Sequence, residues 1–232
     1  MRLGILEAGR PPRSLQPQFG EYPAMFRALL GEDAYDYATY RVFDGQWPDR
    51  PQACDAYLIT GAAAGVYDPL PWIDELKAFL RAAKGRAALV GICFGHQVMA
   101  EAFGGLVRKS PKGRAIGVQE YQVQNSMAWM DGRHRFRCAA AHQDQVVEVP
   151  RDAEVAAGNR FCPNGMLTYL DQPAMSLQLH PEFEPAFTAA LMDGRLGEIY
   201  TEVELAQGRA SLEVPDDRAA VAEWIRGFLA QV

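Results

Sequence analysis

The chain has 232 residues, 49% of them hydrophobic and 22% charged, and carries a formal net charge of −6. Such a length and composition predict one globular domain over residues 1–232 with a sizeable buried core, and the acidic balance argues against a nucleic-acid binder. No apolar run approaches the length of a membrane span. The start, Met1-Arg2-Leu3-Gly4-Ile5-Leu6-Glu7, has no signal-peptide anatomy. Cys54, Cys93, Cys138 and Cys162 are scattered without a C-x-x-C pair, so neither a disulfide framework nor a zinc site is expected. The expected setting is reducing and cytoplasmic, with no cofactor and no metal.

In chain order, Leu3 to Leu6 reads as a buried strand and Gly9 to Ser14 as a proline-broken loop. Tyr22, Met25, Phe26, Leu29 and Leu30 fall at helical spacing within 21–30. Tyr35 to Phe43 has strand character, and 45–51 is rich in turn residues. Ala56-Tyr57-Leu58-Ile59-Thr60 is a second buried-strand run, ending in Gly61-Ala62-Ala63-Ala64-Gly65. A helix is predicted from near Trp72 to before Gly85, with Trp72, Ile73, Leu76, Phe79 and Leu80 as its apolar stripe. The run Ala87-Ala88-Leu89-Val90 follows. Strands alternating with helices imply parallel pairing through crossover helices, and in such sheets sites lie at the carboxyl ends of strands. Beyond residue 117 the character changes. Short strands at 117–123, 136–141, 145–149, 154–157, 166–170 and 174–179 predict antiparallel or mixed pairing. A helical extension over about 188–232 closes the chain, with breaks expected at Gly194, Gly208 and Pro215-Asp216.

The stretch that organises the rest is Gly91-Ile92-Cys93-Phe94-Gly95-His96-Gln97. It has the form G-x-C-x-G between a strand and a helix, the thiol counterpart of the sharp turn that lifts a nucleophile above a sheet. Glycines flank the corner because strand and helix crowd it. A thiol at a helix N-terminus sits at the positive end of the helix dipole, which favours the thiolate. Such a nucleophile needs a base, and the base an orienter. Of His96, His134, His142 and His180, the last ends a strand and stands two residues before Glu182. In an extended segment residues i and i+2 point to one side, so Glu182 can hold the imidazole of His180. His96 is expected to be packed, and His134, between arginines, to be solvated.

Together the Gly91–Gln97 stretch and His180-Pro181-Glu182 resemble the class I glutamine amidotransferases, in that family's order and at about its separation. The resemblance spans Leu3 to about Phe187. It implies a three-layer, flavodoxin-like α/β fold with a mostly parallel central sheet, and a Cys93-His180-Glu182 triad. It implies a reaction too: the thiolate attacks the side-chain amide of glutamine, a γ-glutamyl thioester forms, ammonia leaves, and water hydrolyses the thioester. The oxyanion of each step needs two backbone N–H donors, which the resemblance assigns to Phe94 and to Ala62, after Gly61. The family has a second glycine where this chain has Ala62. The N–H survives, although alanine is costly at positive φ. The resemblance also places Gly61, Gln97, His142 and Asp144 at the glutamine pocket, the last two in Ala141-His142-Gln143-Asp144-Gln145-Val146. Those matches stand beside plainer roles, a helix-start hydrogen bond for Gln97 and a strand end for His142. Arg108, Lys109, Lys112 and Arg114 are expected in a solvated loop.

No Gly-rich phosphate loop of the form G-x-x-x-x-G-K-[ST] occurs, so a synthase module is not part of this chain. Three functions stay open: an amidotransferase subunit delivering ammonia to a separate synthase partner, a hydrolase of γ-glutamyl amides or peptides, and a non-catalytic binding protein on the same fold. The segments Gly61 to Trp72 and Lys109-Ser110-Pro111-Lys112-Gly113 resemble free-standing relatives of the plant γ-glutamyl peptidases.

Overall fold

The computed structural model describes all 232 residues. β1 (Arg2–Glu7) is followed by a short α1 (Gln16–Phe19), α2 (Tyr22–Leu30), β2 (Asp36–Arg41) and β3 (Ala56–Ile59). Then come α3 (Pro71–Ala83), β4 (Ala88–Ile92), α4 (Phe94–Ala102) and β5 (Leu106–Lys109). β6 (Ala115–Val123), β7 (Arg135–His142), β8 (Asp144–Glu148), β9 (Ala153–Gly158), β10 (Met166–Tyr169) and β11 (Ala174–Leu177) form the strand-rich middle. α5 (Pro185–Asp193), α6 (Glu202–Ser211) and α7 (Arg218–Leu229) complete the chain.

The main sheet has nine strands in the order β2-β1-β3-β4-β11-β10-β9-β6-β7. β2, β1, β3, β4 and β11 run parallel, as the strand–helix alternation predicted. The strands from β10 to β7 pair antiparallel. A lone bridge between Ala139 in β7 and His180, just past β11, brings the far edge of the sheet back to its centre. The antiparallel half therefore curls back instead of continuing the run of parallel strands, and its Tyr121, Phe136 and Ala157 share one core with Phe26 and Leu58.

The parallel half is covered on both faces, so β3, β4 and β11 are buried along their whole length, while the edge strand β2 stays partly exposed. α2 and α7 pack one face with Phe26, Trp224 and Ile225; α3 and α4 pack the other with Leu76, Leu80 and Val98. The apolar residues of α3 fall at helical spacing and bury Ile73, Leu76, Leu80 and Ala83.

Several local expectations need correction. The tail does not break at Gly208, which lies inside α6. A Cβ there would stand 2.7 Å from Met192 Sδ, and the Gly208 carbonyl lies under Gly117 of β6, which holds φ +70°. The glycine permits a close helix-on-strand approach instead of ending a helix. Arg108 and Lys109 belong to β5, paired with β8 in a separate two-stranded sheet, not to a loop. The helix after Cys93 starts at Phe94, so Gln97 lies inside its first turn and not at its start. Beyond β11 the chain turns, with Phe183 N donating to His180 O at 3.3 Å. His180 and Glu182 thus share a turn, not the extended segment expected.

Candidate active site

Cys93 sits where β4 becomes α4, in the N-cap position of the helix, with φ 53° and ψ −101°. It is the one non-glycine residue with positive φ in the chain. Strain of this kind costs about 1–3 kcal/mol and persists only where the surroundings impose it. Here they do. A Cβ on Gly91 would meet Gly95 backbone and Met99 Sδ at 2.6 Å, and one on Gly95 would collide with the Ile59 carbonyl. Strand β4 and helix α4 close so tightly that the chain between them has one path. Cys93 N donates to Leu177 O at 2.7 Å, which ties the corner to the adjacent β11. The thiol is nearly buried, at 6% exposure.

His180 reaches the same place from the next strand. Its N–H donates to Ala139 O at 2.8 Å, so the curled edge of the sheet sets its height. The ring stacks on Phe183, with centroids 3.9 Å apart and 5° between planes. Nδ1 lies 2.7 Å from Glu182 Oε1. Glu182 is itself buried, and its Oε2 has no partner. A carboxylate held against Nδ1 leaves Nε2 as the nitrogen free to exchange a proton. Burial works against a charged ring. The Cys93 sulfur and the Glu182 carboxylate outweigh it and hold the His180 pKa up, to about 10. The imidazolium is therefore the favoured form at neutral pH, paired with the sulfur.

Gly61 follows β3, the strand on the other side of β4. A Cβ there would come within 3.0 Å of His180 Cε1 and 3.8 Å of Cys93 Cβ, so any larger residue displaces the imidazole. Ala62 does not adopt positive φ, so its methyl carries no backbone penalty. Its N–H makes no hydrogen bond within the protein. Phe94 is the first residue of α4, where N–H groups have no intrahelical acceptor. Its ring packs against Trp72, 5.5 Å between centroids.

These residues open onto a cleft of about 330 Å³. Cys93, His180, Ala62, Gln97, His142 and Asp144 line it, while Gly61, Phe94 and Glu182 lie just behind the lining. The structure thus brings together every site residue expected from the sequence. Gln97 turns its Nε2 inward, to Asp144 O at 2.9 Å and Gln178 Oε1 at 3.1 Å. His142 Nδ1 lies 3.1 Å from the same Asp144 O, and burial lowers its pKa to about 4. The Asp144 carboxylate accepts from Tyr67 OH at 2.7 Å. Burial and that carboxylate raise the Tyr67 pKa to about 12. His96 does not reach the cleft. It is buried, with Nδ1 2.8 Å from Ser176 Oγ, and burial lowers its pKa to about 3.

Sequence reasoning missed several cleft residues. Tyr22, on α2, stacks on Phe183 and reaches the cleft from across the sheet. Arg10, Lys109, Arg114 and Arg195 border the cleft from separate parts of the chain. Lys109, Arg114 and Arg195 make no ion pair, whereas Arg10 is held among Glu7, Glu21 and Asp44. Gln178 could have been found from its place two residues before His180, on the same side of an extended run.

No group of His, Cys, Asp and Glu side chains is arranged to hold a metal ion. All four cysteines are free and buried, and no helix is long and apolar enough to cross a membrane.

Comparison with known proteins bears on this geometry. The family profile described as glutamine amidotransferase class-I matches residues 44–191. A glutamine amidotransferase-like protein of Schizosaccharomyces pombe is 28% identical, with 99% of this chain and 98% of that protein aligned. Gamma-glutamyl peptidase 3 of Arabidopsis thaliana is 25% identical over 91% of this chain and 89% of its own length. A glutamine amidotransferase structure from Thermotoga maritima superposes with a TM-score of 0.75 at 19% identity, covering 100% of this chain and 97% of that one. The chain belongs to the class I glutamine amidotransferase family.

Proposed function

We propose that this protein hydrolyses γ-glutamyl amides through a γ-glutamyl thioester on Cys93, with glutamine as the simplest substrate and glutamate and ammonia as products. The observation that carries the reading is the convergence of a strained, helix-capping cysteine with a buried His180–Glu182 pair at the floor of one cleft.

The steps follow from that arrangement. The Cys93 thiolate adds to the substrate's side-chain carbonyl carbon. The resulting oxyanion is met by the N–H groups of Ala62 and Phe94. The His180 imidazolium gives its Nε2 proton to the departing nitrogen, the C–N bond breaks, and the amine leaves. Neutral His180 then takes a proton from water, hydroxide adds to the thioester, and the C–S bond breaks to return the thiolate and release glutamate. Glu182 keeps its charge throughout and holds the ring. Asp144 supplies an anion for the substrate's α-ammonium group, and the carbonyl end of Gln97 is free to accept from it.

A second reading, release of a peptide or a carboxylate-bearing amine in place of ammonia, is favoured by Lys109, Arg114 and Arg195. They are cations without ion-pair partners at the rim of the cleft on an acidic protein, and a carboxylate on the leaving group would complement them. Delivery of ammonia to a synthase partner belongs to the first reading only.

The experiment is a release assay. The purified chain is incubated with glutamine and with a panel of γ-glutamyl amides and dipeptides, and ammonia or amine is followed. Turnover of γ-glutamyl compounds that disappears in Cys93→Ala is expected. Faster release of carboxylate-bearing leaving groups, reduced in Arg114→Gln, would favour the second reading. Turnover that persists in Cys93→Ala, or none with any γ-glutamyl compound, would overturn the assignment.

A further inference from the structure

Besides the imidazole, the Cys93 sulfur faces the side-chain amide of Gln178, whose Nε2 lies 3.6 Å from Sγ. Gln178 is wholly buried. Its backbone N–H is fixed to Gly165 O at 2.9 Å. Its Oε1 accepts from Gln97 Nε2 at 3.1 Å, and that same Nε2 donates to the backbone carbonyl of Asp144 at 2.9 Å.

That carbonyl sets the direction of the series. A backbone oxygen can only accept, so Gln97 must present its NH2 to it. The second hydrogen of that NH2 goes to Gln178, which must answer with oxygen. The NH2 of Gln178 is then left pointing at sulfur. Asp144 O is itself held by His142 Nδ1 at 3.1 Å, so the anchor does not drift.

We propose that Gln178 is a positioning residue for the nucleophile: its amide N–H, oriented by Gln97 and the Asp144 carbonyl, stabilises the Cys93 thiolate and aims it into the cleft. This rests on the reading of Cys93 as the nucleophile. A hydrogen bond to the charged form favours that form. The amide differs from His180 in being neutral. It does not titrate, and it gives up no proton when the amine leaves. It therefore meets the sulfur whenever the sulfur is anionic, before attack and again when the thioester breaks. Other titratable groups lie within electrostatic range of Cys93: Tyr22 on α2, Tyr121 on β6, Cys162 between β9 and β10, and Tyr200 beyond α5. Burial raises the pKa of each of these and keeps them neutral. His142 and Asp144 lie one bond network further out, and Glu182 stands behind His180. His180 is thus the charged neighbour that acts on the sulfur beside the amide.

The test is the pH profile of Cys93 alkylation by iodoacetamide, using the full chain and no substrate. Cys93→Ala gives the background from the other three cysteines. In Gln178→Met, which keeps the length and removes the donor, the midpoint is expected to rise by about half to one pH unit. In Gln97→Met, which frees the Gln178 amide to flip, a smaller rise is expected. An unmoved midpoint in folded Gln178→Met, or a lowered plateau at the same midpoint, overturns the proposal. If Gln178→Met does not fold, Gln97→Met decides on the same criterion. A Cys93 that never reacts in the unaltered chain would instead remove the nucleophile assignment, and this proposal with it.

Discussion

Glu182 shows how much one buried carboxylate can decide. It contacts no solvent, holds His180 Nδ1 at 2.7 Å and has a second oxygen without a partner. A buried anion in that position is costly unless a cation faces it. The imidazolium is that cation, and the Cys93 sulfur together with Glu182 holds the His180 pKa up, to about 10, against the pull of burial. Glu182→Gln keeps the shape and loses the charge. It is expected to lower kcat/KM by about 10²–10⁴-fold with the fold retained, and to bring the alkaline limb of the pH–rate profile down toward neutrality. Steady-state kinetics across pH check both effects. An unchanged alkaline limb would remove Glu182 from its role. The contact of His180 with Glu182 was legible in the sequence because the two stand close together in the chain. The rim cations were not: Arg10, Lys109, Arg114 and Arg195 meet only in the folded chain.

At the scale of elements, the β4–Cys93–α4 corner is tightly constrained. Gly91 has Gly95 backbone and the Met99 sulfur at 2.6 Å from any added Cβ. Backbone cannot give way as a side-chain tip can, so Gly91→Ala is expected to destabilise the fold by about 2–3 kcal/mol. Urea unfolding checks it through a lower midpoint at unchanged slope; an unshifted midpoint would mean that the corner is looser than described. This corner could be read from sequence because its glycines, its apolar strand and its helix are contiguous. Two elements nearby could not. β5 carries arginine and lysine and pairs only with β8, half exposed, so its composition looked like loop. Gly208 looked like a helix end because glycine usually marks one. Its real constraints are Met192 and Ile116, 2.7 and 3.1 Å from an added Cβ and distant in sequence, which composition does not reveal. The α6–β6 contact also explains Ser211, whose hydroxyl accepts from Val118 N at 2.8 Å.

For the whole molecule, the division of the sheet is the division of labour. The parallel half carries Cys93 at the end of β4 and the loop after β3; the antiparallel half curls back through the Ala139–His180 bridge to set the height of His180. The alternation of strand and helix predicted the first half. The curl that completes the site depends on long-range pairing with no sequence pattern of its own. The same burial shapes acid stability. His96 and His142 are neutral in the fold, with pKa values lowered by burial to about 3 and about 4, while in the unfolded chain they take protons below about 6.5. Their contribution is whole above about pH 6.5 and is lost as pH falls toward those lower values. The raised His180 has the opposite sign, contributing below about 6.5 and losing it as pH climbs through about 10. Unfolding free energy is therefore expected to decline between about pH 6.5 and 4, with a shallower decline in His96→Asn. Urea titrations at several pH values measure it, and an equal slope in the variant would contradict the assignment of His96.

The central claim is a covalent one, and acid quenching during turnover of a γ-glutamyl substrate, followed by peptide mass spectrometry, tests it most directly. A γ-glutamyl mass on the peptide carrying Cys93, absent from Cys93→Ala, is the predicted result. An acyl group found on another residue, or turnover with Cys93 replaced, would contradict it.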